Sequence, residues 1–186
     1  MGQKYGTLNA QGILIFYDSA DSPVPEGVEA IELTDEQWKM CLATPGCTIS
    51  SGQVVPPSQV DLLKLAAVSQ KVAIDNGYSK ALSQDISFTT QAGVTKAYAA
   101  DSASVSAIHQ AAQAYTVQGF TPLGYYWKAS DGTLVPFTLH DLQGLSEALT
   151  SRVWVLFQQR TALKGRLASA KTLEDVQAVK WTAPTA

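Results

Sequence analysis

Histidine and cysteine each occur only twice in 186 residues, and charged side chains make up only 16% of the chain. A site for acid–base or nucleophilic chemistry draws on those residue types, so the inventory points away from an enzyme. The motif record agrees. There is no G-x-S-x-G elbow, no phosphate-binding Walker loop, no G-x-G-x-x-G turn and no H-E-x-x-H pair. His109 and His140 stand far from Cys41 and Cys47 and carry no metal-ligand spacing. No catalytic residue, metal or cofactor is expected. The two cysteines read as reduced, structural thiols, with a disulfide across that short segment as the alternative.

Charge of one sign is also scarce. The net charge is -3, and Lys and Arg are scattered, so nothing argues for a nucleic-acid partner. No apolar run approaches the ~18 residues of a membrane span. The opening "MGQKYGTLNAQG" lacks the basic start and apolar run of a signal peptide. Gly2 suits myristoylation, but position 6 is Gly where that motif wants Ser or Thr. The expected compartment is a cytoplasm.

What is present is a hydrophobic fraction of 46%, enough for a packed core. The expected fold is α+β. A β-rich N-terminal module occupies 1–57, a connecting helix 58–85, and an α+β domain of two hairpin–helix units 86–186. In the first module, strands are expected over 3–8, 13–17 and 29–33, joined by "NAQG" and by a stretch in which Pro23 and Pro25 forbid regular structure. Leu14 and Phe16 alternate with Ile13 and Ile15, so both faces of that strand are apolar, and one face is either covered or kept for a partner. "TDEQW" is a helix start, with Thr34 as N-cap and Gln37 completing a capping box. Trp38 and Leu42 are expected on one core-facing stripe. "CTISSGQVV" reads as a tight hairpin at Ser51-Gly52, and Pro56-Pro57 closes the module.

Ser58 caps the connecting helix, which Gly77 weakens and is expected to bend. Two hairpins follow, turning at Gln91-Ala92-Gly93 and at Asp131-Gly132, each leading into a helix. Asp-Gly suits a type I′ turn, with positive φ at both central residues. The hairpins are expected to pair as one antiparallel sheet of about four strands. Thr138, with Asp141 three residues on, caps a long helix in which Leu142, Leu149, Leu156 and Leu163 fall seven apart. That stripe is a seam for a partner helix, either the helix at 58–85 or the same helix of a second chain in a homodimer. Thr172 and Asp175 cap a last short helix, Trp181 anchors the tail, and "TAPTA" is expected to fray.

Aromatics remain as candidate binding residues. Alternation puts Tyr125 and Trp127 on one face of a strand and Tyr126 on the other. Phe16 and Tyr17 pose the same choice beside the proline-rich loop.

The stretch "GILIFYDSADSPVPEGVEAIELTDEQWKMCLATPG" with "GQVVPP" resembles the N-terminal module of bacteriophage tail fibre assembly proteins. "ISFTTQAGVTKAYAAD" and "GYYWKASDGTLVPFTLHDLQGLSEALTSRVW" resemble a C-terminal domain of otherwise unknown function in phage and prophage tail proteins. Together the two cover nearly the whole chain. The resemblance implies a chaperone that binds the C-terminal, receptor-binding end of a tail fibre and promotes its folding and trimerisation in the host bacterial cytoplasm. It also leaves room for a protein that stays on the virion at the fibre tip. The alternative is a structural tail-tip or adaptor component that takes part in recognising host glycans. Phe16, Tyr17, Asp18, Pro23, Pro25 and Tyr126 are the candidate fibre contacts.

Overall fold

The computed structural model describes residues 2–10 and 12–183. Met1, Gln11 of the expected "NAQG" connection, and Pro184–Ala186, most of the tail expected to fray, lie outside the described residues. The chain is α+β, with the strands in antiparallel pairs. It divides into two compact units: Met1–Ser69 with Ala170–Gln177, and Gln70–Ser169 with Ala178–Ala186.

In unit 1, β1 (Lys4–Leu8), β2 (Leu14–Asp18) and β3 (Ile31–Leu33) form a sheet in the order β2-β1-β3. Helix α1 (Asp35–Ala43) follows, then a hairpin of β4 (Thr48–Ser50) and β5 (Gln53–Val55). The capping box at α1 forms as its spacing requires: Thr34 Oγ1 accepts from Gln37 N, and Gln37 Oε1 accepts from Thr34 N. The core is small. Leu14, Leu33, Cys41 and Cys47 are fully buried, with Phe16, Ile31 and Trp38 packed against them. Leu42 is exposed, so the core-facing stripe of α1 runs through Trp38 and Cys41, three residues apart, and not through Trp38 and Leu42.

Helix α2 (Gln59–Leu82) is one unbroken element capped by Ser58, whose Oγ accepts from Asp61 N. The division between units falls inside it at Ser69, past the boundary expected at Pro57. Its first half belongs with the β-module because Leu65 approaches Gly46, where φ is 100° and a Cβ would meet the Leu65 methyl at 2.6 Å. Gly77 does not end the helix. It makes room for Trp181, whose ring occupies the place a Cβ would need and stands edge-on to Tyr78 at 6.1 Å.

Unit 2 repeats a hairpin–helix pattern: β6 (Ile86–Thr89), β7 (Thr95–Tyr98) and α3 (Ser102–Gln118), then β8 (Tyr126–Lys128), β9 (Leu134–Pro136) and α4 (Leu139–Ser169). Helix α5 (Leu173–Ala178) comes last, capped by Thr172 and Asp175. Two expectations are corrected. The hairpins remain separate two-stranded sheets. A backbone bond from Ser130 N to Ala97 O, 2.9 Å, joins them, and each turns its apolar face onto the helices. Asp131-Gly132 is not a type I′ turn, because only Gly132 has positive φ. The Asp131 carboxylate accepts from Thr133 N and Lys96 Nζ, and Gly132 alone takes the left-handed position of a bulged three-residue loop. Both positive angles occur at Ser51 (52°) and Gly52 (75°) instead.

The core of unit 2 joins Tyr98, Ile108, Ala112, Val135, Phe137, Leu142, Leu145 and Leu149. The leucine stripe is therefore buried within the chain: Leu142, Leu149, Leu156 and Leu163 are all inaccessible. Its first half shares a core with α3, and α3–α4 is the most extensive helix pairing. It does not present an open seam to a second chain.

Candidate docking surfaces

Side-chain alternation along β2 assigns the predicted contacts to different places. Leu14 and Phe16 point to the core, Phe16 lying edge-on to Trp38 at 5.4 Å. Phe16 is thus a core aromatic on the same face as Leu14, whose side chain fills the space left by Gly6. Ile15 and Tyr17 lie on the other face, in cross-strand pairs with Thr7 and Tyr5. Ile15 is exposed, and both tyrosines are half-buried. Asp18 shapes the loop that follows: its Oδ1 accepts from Ala20 N, and its backbone exchanges bonds with Ser22. Pro23 and Pro25 are exposed. The outer edge of β2 is closed at both ends, with Leu14 N donating to Cys47 O and Asp18 N to Ser22 O. Blunting of this kind keeps a sheet edge from unselective pairing.

In unit 2 the two hairpins differ on their outward faces. The first presents Ser87, Thr89, Thr95 and Ala97, with the two threonine hydroxyls bonded at 2.8 Å. The second presents Tyr126 opposite Pro136 and Lys128 opposite Leu134, all exposed, while Trp127 and Val135 pack inward. The alternation read from Tyr125-Tyr126-Trp127 holds. Tyr126 is 55% exposed and Leu134 54%. The loop before β8 adds Phe120 and Leu123, both exposed.

Sequence reasoning passed over several surface features. On α4, Trp154 and Phe157 stack at 5.9 Å on the solvent side; their three-residue spacing was the available signal. In unit 1 an apolar groove of about 580 Å³ is lined by Ile13, Val55, Pro57, Leu65 and Val68.

Electrostatics on these faces is structural. Lys4 lies 5.4 Å over the Trp38 ring and pairs with Asp35 at 2.9 Å, and that hydrogen bond holds the Asp35 carboxyl below its ordinary range. Asp75 is bound by Lys164 and Arg160, which lower its pKa likewise. Arg152 donates to the carbonyls of Leu82 and Gln84, closing the end of α2. Among the described residues, no group of three or more His, Cys, Asp or Glu could hold a metal ion. No helix there is long and apolar enough to cross a membrane.

Residues 80–183 match the family described as "Domain of unknown function (DUF4376)". The chain belongs to that family. The match runs from the last turn of α2 past Trp181 and so takes in both hairpin–helix units. No curated protein matches the chain, and no solved structure does.

Proposed function

We propose that the chain is a bacteriophage tail fibre assembly chaperone, working in the host cytoplasm on the C-terminal, receptor-binding end of a fibre. The resemblance of both its segments to tail proteins supports the reading. The observation that carries it is the outward face of the β8–β9 hairpin, where Tyr126, Leu134 and Pro136 stand exposed, with Phe120 and Leu123 exposed in the loop that leads into it. Aromatic side chains give large contact area at low entropy cost. A fibre tip is a β-rich trimer whose non-local pairing forms slowly and leaves apolar strands uncovered until assembly. A partner that covers those strands needs apolar faces held on rigid elements and makes or breaks no covalent bond.

Co-expression tests this directly. The C-terminal region of the cognate fibre, expressed with the chain, is expected to appear as soluble trimer; alone, it is expected to aggregate. Equal yields of soluble trimer with and without the chain would overturn the reading. Finding the chain in purified particles by mass spectrometry would reassign it to the virion as a tail-tip or adaptor component.

A further inference from the structure

Cys41 lies in the last turns of α1, and Cys47 lies immediately before β4. Each is 1% exposed, and both sit in the same four-residue core cluster with Leu14 and Leu33. Both thiols are free. The Cys47 thiol donates to the Thr44 carbonyl at 3.3 Å, at the end of the helix that carries Cys41. The five residues between them are already folded back by Pro45 and by Gly46 at φ 100°. The Cys47 carbonyl accepts from Leu14 N at 2.8 Å, so this residue also ties β4 to the sheet. The chain contains no third cysteine, so no other thiol competes within it. Two thiols held in one four-residue core cluster and joined by a folded-back five-residue segment are placed for a short-loop disulfide, whose sulfurs lie ~2 Å apart.

We propose that Cys41 and Cys47 form a reversible intramolecular disulfide that staples α1 to β4 and locks the core of unit 1. The oxidant is a low-molecular-weight disulfide of the glutathione class. One cysteine thiolate attacks the glutathione disulfide, forming a mixed disulfide and releasing one glutathione. The second attacks the protein sulfur of that mixed disulfide, forming the Cys41–Cys47 bond and releasing the second glutathione. The two protons lost by the cysteines end on the two glutathione thiols. The protein pair is oxidised and glutathione disulfide is reduced. Burial pushes the Cys41 thiol up to about 12, so exchange proceeds through opening of unit 1 and is slow in the closed state. A reducing cytoplasm keeps the pair as thiols, and an oxidising medium closes it. The device does not depend on the fibre reading.

The test is equilibration of the full chain in glutathione redox buffers, followed by acid quenching, alkylation and intact mass. The expected product is a monomer lighter by two hydrogen atoms, with no attached glutathione and no alkylated cysteine. Its Tm should lie above that of the reduced chain by on the order of 10 °C. Cys41→Ala and Cys47→Ala are each expected to take up one glutathione in place of closing. Should either variant fail to fold, the wild-type mass and melting curve decide alone. Overturning results are two attached glutathiones, interchain dimers, free thiols at equilibrium under oxidising buffer, bond formation only after denaturation, or an oxidised chain that melts lower.

Discussion

The two units solve the same problem with different resources. Unit 2 buries a continuous core in which ten residues from two hairpins and two long helices are inaccessible. Among the described residues, the cluster of unit 1 joins four buried side chains and is supplemented by partly covered aromatics, a capping box and a lysine laid over Trp38. Small cores leave little stability in hand. The difference teaches that apolar side chains at the surface mean different things in the two units. In unit 1, Ile15 is exposed on a sheet that is thin to begin with. In unit 2, Tyr126 and Leu134 are exposed although the same hairpin has a full inner face to bury.

The largest effect should come from Leu149→Lys. An unpaired ammonium in a fully buried site costs upwards of about 4 kcal/mol, so unit 2 is expected to lose cooperative unfolding by calorimetry. A folded variant whose only change is a smaller oligomer in light scattering would show instead that the stripe serves a second chain. Gly77→Ala is expected to cost about 1–3 kcal/mol despite the better helix propensity of Ala, because the new methyl overlaps the Trp181 ring. Combining it with Trp181→Ala should give a strongly non-additive cycle in urea unfolding.

Asp141 tests unit 2 by pH. Burial alone raises its pKa, but bonds from Thr138 N, Gln91 N and the Thr138 hydroxyl outweigh that and leave it lowered. A carboxyl depressed in the folded state contributes stability above its unfolded pKa of about 3.9, and loses it as pH falls through the folded value. The wild-type Tm should therefore drop more steeply below about pH 4 than that of Asp141→Asn; parallel curves would contradict the assignment. In unit 1, Thr34→Ala should cost about 1 kcal/mol through the lost cap, read as earlier loss of protection in α1 by hydrogen exchange. Least of all in stability, Tyr126→Ser should change the fold by no more than about 0.5 kcal/mol. It should still weaken fibre binding about tenfold or more.

Local signals were legible in the sequence, and long-range ones were not. The boxes at Thr34–Gln37, Thr138–Asp141 and Thr172–Asp175 were readable because cap and partner are three residues apart. That Asp141 also receives Gln91 N, fifty positions earlier, left no trace in spacing. The leucine stripe announced a buried face without saying that α3 would share its core. Arg152 closes the end of α2 across about seventy residues, and nothing around it in sequence marks that role. Asp131-Gly132 misled because the Asp side chain found Thr133 and Lys96 and needed no positive φ. Among the candidate contacts, Tyr126 faces outward as alternation requires. Phe16 does not, because an apolar strand offers two faces and only packing against distant residues such as Trp38 decides between them.

The central claim is that this molecule acts by covering another polypeptide with the outward face of β8–β9. Hydrogen exchange on the chain with and without its cognate fibre C-terminal region addresses it most directly. The account predicts new protection at residues 120–136, with the amides of the first hairpin, residues 86–98, unchanged. Protection confined to the first hairpin, or none anywhere on a chain saturated with fibre, would contradict it.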